Sequence, residues 1–220
     1  MKKYRTSRFL SVLLTLCMVL SITAVTASAE EQMFTDVSDD AWYSDAVNFC
    51  CNWGLMNGTG DDKFSPNATL TRGMIVTILH RWEGTPDASE LDNTFSDVPD
   101  DIWYTDAVKW AAANDIVNGY GGDKFGPNDA VTKEQLAVLI FRLGTGYGEI
   151  PPEMNEGRDF KDLDSVSEWA AEAVNTLNDR GVFVNLPGDT FNPKAAATRA
   201  EVASVIYRYI VVIAAANDGE

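Results

Sequence analysis

Histidine is almost missing from this chain: of 220 residues, only His80 is one. Cysteine is scarce as well, with Cys17 on its own and Cys50 and Cys51 side by side. A zinc centre needs clustered His and Cys, and a disulfide framework needs spaced pairs. This sequence supplies neither, and a bridge between adjacent cysteines would strain the backbone. Basic residues are few, 17 against 33 acidic ones, for a net charge of −16. Such a field repels nucleic acid and anionic lipid, so nucleic acid is not expected as a partner. An anion can be held only where local cations work against the global potential. Nucleophile motifs are lacking, and no Asp or Glu stands apart from the repeating pattern described below. No catalytic residue is therefore assigned, and the chain reads as a non-enzyme. Its acidic loops lack the alternating oxygen ligands ending in Glu of a calcium loop. Neither a metal nor a cofactor is expected.

One long uncharged apolar run is present, from Leu10 to Val25. Lys2, Lys3, Arg5 and Arg8 precede it, and Ala27-Ser28-Ala29 follows. The run is short for a membrane span, and its flanks are those of a secretory signal. Residues 1–29 are read as that signal, cleaved after Ala29. The expectation is a secreted protein with no membrane association after cleavage.

The remainder repeats itself. Phe34-Thr35-Asp36-Val37 returns as Phe95-Ser96-Asp97-Val98 and, more loosely, as Phe160-Lys161-Asp162-Leu163. Trp42, Trp103 and Trp169 correspond, as do Phe64, Phe125 and Phe191, then Thr71, Thr132 and Thr198, then Arg81, Arg142 and Arg208. This self-similarity divides the chain into units at 34–83, 95–144 and 160–209, with a short tail at 210–220 and no further domain expected. Each unit reads as helix, loop, helix. In the first helix of the second unit, Trp103, Ala107, Val108 and Ala111 mark one face. Cys50 and Cys51 fall where that helix has Ala111 and Ala112, so they read as small packing residues. The second helices carry stripes at i, i+3, i+4 and i+7: Ile75, Ile78, Leu79, Trp82; Leu136, Leu139, Ile140, Leu143; Val202, Val205, Ile206, Tyr209. A two-helix unit cannot bury such a stripe alone, but three units packed together can. His80 aligns with Phe141 and Tyr207 and reads as a helix-face residue. In the loops, Asn-Gly at Gly58 and Gly119 signals a turn that tolerates positive φ. Asp36, Asp97 and Asp162 read as turn caps or partners of Arg. Arg81, Arg142 and Arg208 read as structural cations near a helix C-terminus.

An F-x-D-V opening, a Trp-led helix, a Gly-rich loop ending in F-x-P and a T-R-A-E step resemble the S-layer homology (SLH) module of bacterial surface proteins. The resemblance runs from Phe34 to about Arg208. It implies an all-α, pseudo-threefold domain of three helix-loop-helix repeats around a central helical bundle. It also implies non-covalent binding of secondary cell-wall polysaccharide linked to peptidoglycan, in grooves between units. The ligand often carries a pyruvyl ketal and hence a carboxylate. The implied place is the bacterial cell surface. A secreted protein–protein interaction or S-layer assembly module without direct glycan binding is the alternative, ahead of a wall-active glycosidase, and the identity of any protein partner is left open.

Thr71, Thr132 and Thr198 stand as N-caps. A helix start with free backbone N–H groups and partial positive charge suits a carboxylate. A basic residue in the first turn adds a charge-assisted contact. The candidate glycan- and anion-binding residues are therefore Arg199, Arg72 and Lys133 with Thr198, Thr71 and Thr132. Trp42, Trp103 and Trp169 are candidate platforms for sugar ring faces, although core packing is the preferred reading of each. The third unit has the full Thr198-Arg199-Ala200-Glu201 step and reads as the strongest site. Lys133 lacks the bidentate fork. The first unit keeps Arg72, but Gly73 weakens its first turn and Met74 cannot complete a capping box.

Overall fold

Thr71, Thr132 and Thr198 each end a loop and start a long helix. The computed structural model describes residues 33–153 and 156–217; the signal segment expected at 1–29 lies outside them. Three short helices, α1 (Ser44–Asn52), α3 (Thr105–Ala113) and α5 (Glu168–Asp179), alternate with three longer ones. The longer ones are α2 (Arg72–Trp82), α4 (Lys133–Tyr147) and α6 (Arg199–Asn217). The described residues form no β-strand, so the chain is all-α, with one 3-10 turn at Leu163–Ser165.

The caps follow the sequence closely. Thr132 Oγ1 accepts from the Gln135 N–H at 3.3 Å, and the Gln135 side chain accepts from the Thr132 N–H at 3.0 Å. Thr198 and Glu201 make the same reciprocal pair. Thr71 has only half of it, accepting from the Met74 N–H. Each such cap is worth about 1 kcal/mol. All twelve expected stripe residues on α2, α4 and α6 are buried. Trp82 of α2 and Tyr209 of α6 meet edge to face with ring centroids 5.5 Å apart.

Pairing of the helices crosses the unit boundaries. The short helix α3 packs on α2 of the unit before it, α5 packs on α4, and α1 packs on α6 of the third unit. The ring therefore closes on itself. At its centre the residues just before the long helices form a three-membered hydrogen-bond cycle. The Leu70 N–H donates to Ala197 O, the Ala197 N–H to Val131 O, and the Val131 N–H to Leu70 O, at 3.2, 2.8 and 3.0 Å.

Phe64, Phe125 and Phe191 are buried and pin their loops to this core. Asp36, Asp97 and Asp162 hold the same loops. Each carboxylate accepts from the N–H of the Phe and of the residue after it, at 2.6 to 2.9 Å. Burial works against the Asp97 carboxylate, but the two N–H groups win and keep its pKa below the usual value. Cys50 is buried, Cys51 is half-buried, and both are free thiols. Burial drives both thiol pKa values up, that of Cys51 to about 11, so neither is a thiolate at neutral pH. His80 is buried on α2; its Nε2 lies 2.8 Å from the Pro86 carbonyl and its ring lies 5.1 Å from that of Trp110.

Four expectations need correction. Trp103 does not share the buried face of Ala107, Val108 and Ala111. It precedes α3 and is 60% exposed, and Trp169 and Trp42 are 58% and 40% exposed. Core packing is thus the wrong reading for all three. Gly58 and Gly119 do not have positive φ. They are small because a β-carbon on either would lie 2.7 Å from the ring of Phe34 or Phe95. The short tail expected from residue 210 begins as a continuation of the helix: α6 runs to Asn217, and Ile210, Val212 and Ile213 are buried. Consequently Arg208 sits within a helix, not near its end. Finally, Gly73 is more than a weak point. A β-carbon there would lie 3.0 Å from Pro127 O and 3.3 Å from the Tyr104 ring, so the second unit packs directly against it.

Candidate ligand grooves between the repeats

The expected free N–H groups at the three helix starts are already engaged. The N–H groups of Arg72 and Gly73 donate to Asp129 O and Pro127 O of the second unit. Those of Lys133 and Glu134 donate to Ala195 O and Pro193 O of the third. Those of Arg199 and Ala200 donate to Ala68 O and Pro66 O of the first. The third N–H of each helix goes to the capping Thr. Thr71, Thr132 and Thr198 therefore shape helix starts, and the backbone offers no open anion cradle there. The side chains at the first helical position of α2 and α6 are instead carried into the neighbouring unit's loop.

Arg199 of the third unit donates through Nε to Phe64 O at 2.7 Å and through Nη2 to Asn57 O at 2.6 Å, both in the first unit. Its guanidinium lies 4.4 Å over the Phe64 ring. Arg72 of the first unit repeats this in the second: Nε donates to Phe125 O at 2.9 Å and Nη2 to Asn118 O at 3.5 Å. It is stacked by Tyr120 and Phe125 at 4.6 and 4.7 Å. Burial lowers both arginine pKa values. A guanidinium starts so high that each stays charged at any physiological pH. Stacking and carbonyl bonds hold each fork in one orientation.

Two cavities open beside these forks. The first groove, about 270 Å³, is lined by Asn57, Met74 and Arg81 of the first unit, Trp103 of the second and Arg199 of the third. The second, about 250 Å³, is lined by Tyr120, Gln135 and Arg142 of the second unit, Trp169 of the third and Arg72 of the first. Each groove is thus assembled from all three units. No Asp or Glu is among the residues lining either one. In a chain of net charge −16, each groove thus gathers two arginines with no carboxylate in its lining.

The corresponding third position is different. Lys133 Nζ lies 2.5 Å from Glu201 Oε1, and both side chains are mostly buried. Arg208 donates to Gly181 O at 2.9 Å and pairs with Glu156 at 2.6 Å. The third unit's loop is gripped by Arg158, which donates to the carbonyls of Leu186 and Gly188 and lies over the Phe160 ring.

The sequence expectation for Arg81 and Arg142 is a structural cation near a helix C-terminus. Each does donate to a loop carbonyl, Leu55 O at 3.3 Å and Ile116 O at 3.5 Å. Yet both also line a groove beside the stacked arginine. A signal for this was available. Met74 and Arg81, like Gln135 and Arg142, stand seven residues apart and so share one helix face.

A closed ring of three two-helix repeats with grooves at its seams defines a tandem-repeat helical module. The family model of the S-layer homology domain matches residues 34–73, 94–137 and 159–203, more than half the chain, and the chain belongs to that family. It is 29% identical over 177 residues to an amylopullulanase of Thermoanaerobacterium thermosulfurigenes, covering 80% of this chain and 9% of the relative. It is 29% identical over 196 residues to an S-layer protein of Bacillus thuringiensis subsp. finitimus, covering 88% and 23%. It is 26% identical over 157 residues to a cellulosome-anchoring protein of Acetivibrio thermocellus, covering 70% and 35%. The chain therefore spans a minor part of each of these relatives.

Proposed function

We propose that this chain is a non-covalent anchor at the bacterial cell surface that binds an anionic secondary cell-wall polysaccharide. One observation carries the reading. Two arginines and one exposed tryptophan converge on each of two grooves that no carboxylate lines. The arginines suit a sugar-borne carboxylate, of which a pyruvyl ketal is the expected source, through charge-assisted hydrogen bonds. The tryptophan suits the apolar face of a sugar ring. Contact is assigned to Arg199, Arg81 and Trp103 in the first groove and to Arg72, Arg142 and Trp169 in the second. Lys133 and Trp42 belong to the third position. The relatives support attachment over chemistry, because the same module is shared by an amylopullulanase and a cellulosome-anchoring protein. No catalytic role is assigned, and secretion through the segment at 1–29 is part of the proposal.

The test is co-sedimentation of the purified chain with bacterial cell-wall sacculi, before and after chemical extraction of the secondary polymer. Binding should vanish on extraction while peptidoglycan remains. Binding that persists would overturn the polysaccharide reading in favour of a protein or peptidoglycan partner.

A further inference from the structure

Met74, Gln135 and Glu201 occupy the same place, the third residue of α2, α4 and α6. Each faces the cation that arrives from the preceding unit of the ring: Arg199, Arg72 and Lys133 respectively. Met74 and Gln135 carry no charge. Glu201 does, and its two oxygens divide the work. Oε2 accepts from the Thr198 N–H at 2.8 Å, completing the helix cap, and Oε1 takes Lys133 Nζ at 2.5 Å. The second cation of this position, Arg208, is likewise paired, with Glu156. We propose that this third helical residue is the specificity switch of each groove. An uncharged residue leaves the incoming cation open to an acidic sugar; a glutamate occupies it from within.

The physical reason is tethering. A carboxylate fixed 2.5 Å from the ammonium has an effective concentration in or above the millimolar range, which a free acidic sugar must outcompete. The switch therefore makes the ring asymmetric, with two grooves for anions and a third closed to them. The same glutamate that completes the cap with Thr198 also closes its groove, whereas Gln135 completes its cap with Thr132 and leaves its groove open. This inference rests on the anionic-polysaccharide reading above and adds which grooves act and what sets them.

The experiment is calorimetric titration of the full chain with a methyl glycoside carrying a pyruvyl ketal, its methyl ester serving as the uncharged control. The wild-type protein should take up two equivalents of the acid. M74E and Q135E should each take up one, and E201Q, which keeps the cap, should take up three. Met74→Glu completes a capping box with Thr71, so its melting temperature should hold or rise, which separates lost binding from lost folding. If the wild-type chain binds while M74E keeps both sites and E201Q gains none, the switch is overturned and the polysaccharide reading stands. If the wild-type chain takes up neither the acid nor the wall polymer, the polysaccharide reading fails and the switch falls with it.

Discussion

The Tyr209 hydroxyl occupies the space where a β-carbon on Gly144 would stand, and it donates to Glu149 O at 2.6 Å. The third unit's long helix is thereby docked onto the end of the second unit's. Gly144→Ala should destabilise the protein by about 1–3 kcal/mol through overpacking. Tyr209→Phe alone should cost about 1 kcal/mol for the lost hydrogen bond. Combined, the two should cost less than their sum, because removing the hydroxyl makes room for the methyl. Urea denaturation of the double-mutant cycle measures this coupling, and strict additivity would contradict the contact.

His80 makes stability depend on pH. Burial holds its pKa below the ordinary 6.5, opposed by the Pro86 carbonyl and Asp106. The unfolded chain therefore binds the proton more readily than the folded one. The contribution is intact above pH 6.5 and is lost as pH falls through the lowered value. His80→Phe, the residue found at Phe141, should flatten the melting temperature between about pH 7 and pH 5. An unchanged slope would place the titration elsewhere.

Asp97 acts in the same direction as His80 but in a more acidic window, with its carboxylate bonded to the Phe125 and Gly126 N–H groups. Its lowered pKa gives stability above the unfolded value of 3.8, lost as pH falls further. Asp97→Asn keeps the shape but can accept through only one oxygen, and should cost about 1 kcal/mol at neutral pH. The loss should disappear in strong acid, where Asp97 is protonated as well. Thermal melts at both pH values would show it.

Arg81 offers a cleaner probe of binding than Arg199. Its recorded bond is a 3.3 Å contact to Leu55 O, whereas Arg199 holds two loop carbonyls and a ring. Arg81→Gln should leave the melting temperature within a degree or two and weaken wall binding about tenfold or more, the worth of one charge-assisted hydrogen bond. Lys133→Ala should weaken it less than Arg199→Ala does. Equal losses in a sacculus pull-down would mean that the third position contributes as much as the first groove.

Trp103→Ala and Trp169→Ala test the sugar platforms. Both side chains are more than half exposed, so folding should be nearly unaffected. Wall affinity should fall for each, and a loss confined to one would rank the grooves.

Local chemistry explains what could be read in advance. The stripes on α2, α4 and α6 and the Thr caps depend on residues close in sequence or on simple helical periodicity, whereas each Asp clasp reaches a Phe 28 or 29 residues away. The makeup of each groove was hidden because its parts come from different units. Arg199 seemed to belong with Thr198 and Glu201, yet its fork lies in the loop of Asn57 and Phe64, 142 and 135 residues away. The tryptophans misled for a related reason. An apolar ring is expected to be buried, and only the ring closure reveals a seam that leaves Trp103 and Trp169 facing outward.

The cycle joining Leu70, Ala197 and Val131 has an arithmetic consequence. An open stack of repeats can grow or shrink by a unit and keep its remaining interfaces. Here every unit has two neighbours and the last meets the first, so there is no terminal copy to add to or remove. Loss of any one unit breaks two seams and dismantles both grooves, while a fourth would have no seam to enter. Duplication can multiply whole triplets of this module, but it cannot lengthen one.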